Sequence, residues 1–173
     1  MTTYGPTARF LHCAVAALIL VQIPIGLAMP DIRRGQLPGT PMNLHISLGM
    51  VILALIVLRL AWRLVRAVAP DPSLPLWQQR ASEAVHWALY ALVLATTLSG
   101  WCYASNRGWE LSFFWTWPLP PLGQGAAQLA IGRLHESLSW ALIVVAGLHI
   151  AAALAHLLVY KDRVMQRMLP WRA

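Results

Sequence analysis

The chain has 173 residues, 58% of them hydrophobic and only 11% charged, where a soluble domain carries roughly 25% charged residues. This excludes a water-soluble globular domain, and a formal charge of +7 then reads as membrane topology and contact with anionic lipids, not nucleic-acid binding. The predicted fold is all-α: one membrane-embedded domain over residues 1–173, an integral membrane four-helix transmembrane bundle with no soluble catalytic domain attached.

A helix crossing a hydrocarbon core of ~30 Å needs about 20 mostly apolar residues, and four stretches qualify. The first covers about residues 10–29. It exceeds the apolar region of a signal peptide, lacks an Ala-x-Ala end and carries His12, Gln22 and Pro24, so it reads as a retained helix. A connection from Pro30 to Pro41, with Asp31, Arg33 and Arg34, leads to the second span over 44–65, which opens on His45. The stretch Arg66 to Arg80 precedes the third span over 84–103, with Glu83, His86 and Tyr90 at its start. The connection from Ser105 to Arg133 is long. Its aromatic, Pro-rich part from Trp109 to Pro121, followed by Gly123-Gln124-Gly125, predicts a cap on that face with a short interfacial helix. The fourth span covers 134–160 and holds His135, His149 and His156.

Four spans put both termini and the middle connection on one side. That side holds Arg9, Arg63, Arg66, Arg80, Lys161, Arg163, Arg167 and Arg172, against Arg33, Arg34, Arg107 and Arg133 on the other. Cytoplasmic loops carry the excess of basic residues, so both termini are expected in the cytoplasm. The opposite rim of arginines, offset by Asp31, Glu110 and Glu136, is a place to focus an anionic reductant or ordinary solvated loop charge. Cys13 and Cys102 lie near opposite faces, so no disulfide is expected between them, and no Cys-x-x-Cys-His motif attaches haem covalently.

All six histidines, His12, His45, His86, His135, His149 and His156, lie in or at the ends of the spans. Ionisable residues there face the bundle interior and mark function by default. His135 and His149 are 14 residues apart, about 21 Å and four turns, so they share a face near opposite membrane surfaces. That separation suits two haems stacked across the bilayer, each needing a second imidazole at its own depth. The topology pairs His45 with His135, and His12 with His149, the second pair requiring helix tilt. Two imidazoles per iron leave no open position and favour electron transfer.

His86 and His156 remain, at the cytoplasmic end. They are either interfacial residues with polar tips in water or part of a quinone site with Arg80 and Lys161; His156 is also an alternative to His149 as ligand. Zinc or copper wants three or four ligands at one depth, and histidines spread over both ends fit two-ligand sites better. Hydrogen-bonding histidines between helices and a proton-relay transporter are the readings without haem. Most tryptophans fall near span ends, as an aromatic belt would; Trp140 lies deeper, by a haem edge or in plain helix packing. Gly26, Gly49, Gly100 and Gly147 permit close helix contact or room for a porphyrin.

Read together, several motifs carry a resemblance: Arg9-Phe10-Leu11-His12, Asn43-Leu44-His45, Asn106-Arg107-Gly108, Leu134-His135-Glu136, Gly147-Leu148-His149, and Ala151 to His156 followed by Lys161-Asp162. Over essentially its whole length the chain resembles the bacterial di-haem cytochrome b561 proteins of the inner membrane. The resemblance implies two non-covalent b-type haems on His12, His45, His135 and His149, with ubiquinone as electron partner. It also implies a superoxide oxidase-like activity, with superoxide as donor. Related di-haem subunits of dehydrogenases share the ligand layout but dock on a soluble enzyme. The small extramembrane surface here favours a stand-alone oxidoreductase with no obligatory protein partner.

Overall fold

A computed structural model of the chain describes residues 4–30, 37–68, 72–123, 128–162 and 164–168. Asp31, Arg33, Arg34, Gln124, Gly125, Arg163, Trp171 and Arg172 lie outside the described residues. Four helices carry the fold: α1 (Pro6–Leu27), α2 (Thr40–Val65), α3 (Leu76–Asn106) and α4 (Gln128–Ala155), the last continued by a π-helical turn over His156–Tyr160. All four crossings are long and apolar enough to span a membrane.

Local chemistry sets the ends. Pro6 and Pro41 stand in the first turns of α1 and α2, where a missing N–H costs nothing and the fixed φ suits a helix start. Pro24 sits near the end of α1, one turn before the helix stops. The helices overrun the apolar spans: α3 begins at Leu76 rather than near residue 84, and α4 at Gln128 rather than near 134. Hydropathy marks where the chain enters lipid. The polar turn Gln78-Gln79-Arg80 remains helical outside it, started by backbone N–H groups of Gln78 and Gln79 bonding to the Pro75 carbonyl.

Packing runs in chain order, α1 on α2, α2 on α3 and α3 on α4. The buried layer joins Val15, Ile52, Ile56, Tyr90, Val93 and Leu142, one or two from each helix. Leu142 lies seven residues from both His135 and His149, so this layer separates two histidine levels. Outward faces show Leu20, Leu58, Val144 and Leu158, as lipid contact demands. Trp140 is 53% exposed and belongs to that outer surface.

The connection between α3 and α4 corrects the expectation of a short interfacial helix. Its described part is a hairpin, β1 (Ser112–Phe113) against β2 (Trp117–Pro118), antiparallel with Phe113 opposite Trp117. Pro118, Pro120 and Pro121 remove the donors a helix there needs. The turn places Phe114 and Trp115 at φ of 45° and 61°, a left-handed conformation costing on the order of 1–2 kcal/mol per non-glycine residue. Tethers hold it: the Phe114 N–H donates to the buried Ser47 hydroxyl of α2 at 2.9 Å, and Trp101 Nε1 donates to the Pro120 carbonyl at 3.0 Å. This side is the hairpin end of the bundle, and the opposite side the termini end.

Candidate functional site

At the hairpin end, His45 of α2 faces His135 of α4, with ring centres 6.3 Å apart and planes at 89°. His135 Nδ1 lies 2.9 Å from the Thr96 carbonyl. A carbonyl only accepts, so Nδ1 carries the proton and Nε2 keeps a lone pair for a metal. The ring reaches this place because position 100 is glycine: a Cβ there would stand 2.8 Å from His135 Cε1. Gly26 serves His45 similarly, with a Cβ falling 3.2 Å from its Cε1. These glycines make room for the imidazoles themselves, while nothing lies within 4 Å of a Cβ at Gly147. Gln22 Nε2 donates to the His45 carbonyl at 2.7 Å, tying α1 to the first turns of α2. Among the described residues the buried His45 Nδ1 finds no hydrogen-bond partner.

At the termini end, His12 of α1 and His149 of α4 repeat the arrangement, 6.3 Å apart at 82°. His86 of α3 lies closer to His149, at 5.3 Å and 67°. A metal held in line between two imidazole nitrogens at ~2 Å each sets the ring centres on the order of 6 Å apart. Both crossed pairs meet that requirement, whereas the spacing of His86 from His149 is too short, so His86 flanks the pair. Among the described residues no three His, Cys, Asp or Glu side chains converge on a bare metal ion. Two pairs that each span two helices and share α4, with a proton-fixed ring at His135, fit a group ligated from both sides. The residues suit haem.

The other candidates separate. His86 shares a cavity with Tyr4, Arg59, Arg63 and Tyr90, which neither Arg80 nor Lys161 lines. Arg80 is exposed on the outer turns of α3, and Lys161 is exposed where the chain leaves the π-helical turn at φ 51°. That turn brings Asp162 back onto His156: the carboxylate accepts from His156 Nδ1, and the Asp162 N–H bonds to the His156 carbonyl at 3.2 Å. Cys13 and Cys102 are free thiols.

Arg59 is absent from the residues singled out by sequence. Its presence inside an apolar span is a signal in its own right. Ser47 and Thr96 are also functional only in the fold, since one holds the hairpin with its hydroxyl and the other holds His135 with its backbone. At the hairpin end Arg107 lies 4.4 Å over the Trp109 ring and donates to the Tyr103 hydroxyl at 2.9 Å. Tyr103 in turn packs on Gly132, where a Cβ would meet its ring at 2.8 Å, three residues before His135.

A sequence model of the family described as Prokaryotic cytochrome b561 matches residues 3–171. The chain is 30% identical to "Cytochrome b561 homolog 2" of Escherichia coli (strain K12), over 96% of this chain and 90% of that protein. It is 28% identical to "Cytochrome b561 homolog 1" of the same strain, over 99% of both. It is 30% identical to "Probable superoxide oxidase CybB" of Yersinia pestis, over 92% of this chain and 94% of that one. With near-complete coverage and paired imidazoles at two levels of a four-helix bundle, this chain belongs to the prokaryotic cytochrome b561 family of b-type haem-binding membrane electron-transfer proteins.

Proposed function

We propose that the protein is a di-haem oxidoreductase that takes single electrons from superoxide at the hairpin end and delivers them to ubiquinone at the termini end. The observation that carries this reading is the repetition of one geometry: two imidazole pairs, each 6.3 Å apart and near-perpendicular, 14 residues apart on α4. In this reading His45 and His135 hold one b-type haem, and His12 and His149 the other. When bound, these groups supply one-electron carriers at two depths of the bundle. The hairpin end faces the periplasm and both termini face the cytoplasm of a bacterial inner membrane, a placement supported by the bias of basic residues.

The chain's own residues divide the work. Arg107, fixed between Trp109 and Tyr103, offers an anionic substrate a positive charge near the His135 level. Superoxide gives up one electron there and becomes dioxygen. Two such electrons, with two protons, convert ubiquinone to ubiquinol. At the termini end Asp162 holds His156 Nδ1, so His156 Nε2 is the atom left to pass a proton, and His86 is the nearest imidazole to the His12/His149 pair. Lys161 and Arg80 supply charge at the surface where a quinone head group enters. The superoxide assignment draws its support from the name of the Yersinia pestis relative.

The test is a reduced-minus-oxidised spectrum with a haem count per chain, followed by ubiquinone reduction driven by an enzymatic superoxide source. Two b-type haems with quinone reduction abolished by superoxide dismutase are expected. Two haems with no superoxide-driven reduction would leave electron transfer standing and remove superoxide as donor.

A further inference from the structure

Arg59 lies within α2, half-buried at the termini end. Its Nη1 donates to the Ala8 carbonyl at 3.0 Å, the carbonyl one helical turn before His12. It lines one cavity with His86, the imidazole beside His149. Tyr90 lies beside it, with Cζ 5.8 Å from the ring centre. Arg63, one turn on, is stacked 5.0 Å over Trp87 and adds a second positive charge to the same cavity.

The described residues provide no carboxylate for this cation. Glu83, Glu110 and Glu136 are exposed, and Asp162 is occupied by His156. Arg59 has five N–H donors; the Ala8 carbonyl takes one and the Tyr90 side chain, an uncharged partner, takes another. A guanidinium in an apolar span to which no described residue brings a counter-charge is costly, and an anion supplied with the cofactor meets that need. A b-type haem carries two propionate carboxylates. At the hairpin end Arg107, just past the end of α3, is held by Tyr103 and Trp109, and Arg133, two residues before His135 on α4, is exposed. A fixed positive charge favours the state with one more electron, so the two levels are electrostatically unequal.

We propose that Arg59 is the counter-charge of the termini-end haem: it pairs with a carboxylate of that haem and holds its reduction potential above that of the hairpin-end haem. Electron flow toward the termini is then downhill by construction of α2. This rests on the two-haem reading above.

Redox titration of the purified holoprotein tests it with Arg59→Gln and Arg59→Lys. The termini-end step is identified in His135→Ala, which retains only the His12/His149 level. In Arg59→Gln the termini-end step should move down by at least a tenfold change in the reduced-to-oxidised ratio at fixed poise, ~59 mV for one electron. The hairpin-end step should stay in place, and Arg59→Lys should recover most of the shift. Loss of the termini-end haem from Arg59→Gln alone, with Arg59→Lys retaining it, also supports charge pairing. Unmoved steps, equal movement of both steps, or haem loss from both variants overturns the role of Arg59. A wild-type protein with fewer than two haem steps overturns the two-haem reading and the role of Arg59 with it, an outcome distinct from unmoved steps in a two-haem protein.

Discussion

His135 donates its Nδ1 proton to the backbone carbonyl of Thr96, 2.9 Å away across the α3–α4 contact. One hydrogen bond thereby fixes both the tautomer and the direction of the ring, and it uses a backbone atom that no side-chain substitution at position 96 removes. Outer hydrogen bonds of this kind are typically worth about 10–100-fold in metal affinity. The helix pair that makes the contact is thus what sets the His135 ring in place.

That contact depends on Gly100. A methyl group there would stand 2.8 Å from His135 Cε1 and 3.0 Å from Nδ1, closer than real contacts allow, so the ring must move. Gly100→Ala is expected to destabilise the bundle by about 1–3 kcal/mol, as overpacking does, and to empty the hairpin-end haem site selectively. Haem content per chain checks it; full occupancy with an unchanged spectrum would show that His135 does not need this seat.

The ligand pairing has a simpler consequence. His45→Ala and His135→Ala should each lose one haem and keep the other, and His12→Ala and His149→Ala should lose the complementary one. A spectrum in which His45→Ala and His12→Ala remove the same component would break the assignment of pairs to levels.

Much of this was legible from residue types. Runs of about 20 apolar residues located four crossings, and histidines within them named the chemistry, because lipid makes any ionisable side chain conspicuous. What escaped was set by geometry that hydropathy does not encode. The polar turns of α3 around Gln78 and Arg80 are helical because their backbone bonds are local, whatever the solvent. The hairpin at 112–118 arises from tethers to Ser47 and Trp101, residues 19 or more positions away from their partners. His86 approaches His149 rather than Arg80, since α3 packs on α4 along its length. Arg59 stands out in its apolar span as the histidines do, but its reach across to the Ala8 carbonyl of α1 is set by packing.

The hairpin tether yields a prediction about stability. Ser47→Ala removes the acceptor for the Phe114 N–H and releases a turn that carries left-handed φ at Phe114 and Trp115. A neutral hydrogen bond contributes about 0.5–1.5 kcal/mol net, comparable to the strain it opposes. Hydrogen exchange at the Phe114 amide should therefore accelerate about tenfold while exchange within α2 and α4 is unchanged. Equal exchange in both proteins would mean that the Pro120 and Leu122 bonds to α3 suffice to hold the turn.

Guidance of superoxide predicts a salt effect. Replacing Arg107 by Gln removes one charge at the hairpin end and its bond to Tyr103. Steering by charge falls with ionic strength because the Debye length is ~8 Å at physiological salt. The superoxide-driven rate should drop roughly two- to fivefold at low salt, with little difference between variant and wild type at high salt. A rate lowered equally at all ionic strengths would assign Arg107 to structure through Tyr103 and Gly132 instead.

Asp162 gives a means of testing the two proposed half-reactions apart. It accepts from His156 Nδ1 and, through its other oxygen, from the Val164 N–H at 3.0 Å, so Asp162→Asn preserves the loop bond while removing the anion that orients the His156 ring. If His156 hands protons to the quinone, this substitution should lower ubiquinone reduction by at least tenfold, within the range general acids contribute. Haem content and the rate of haem reduction by superoxide should be untouched, because His135 and His45 lie about 20 Å or more along the helix axis. A loss in both half-reactions would tie the π-helical turn to the His149 ligand geometry, and no loss in either would move proton delivery to His86.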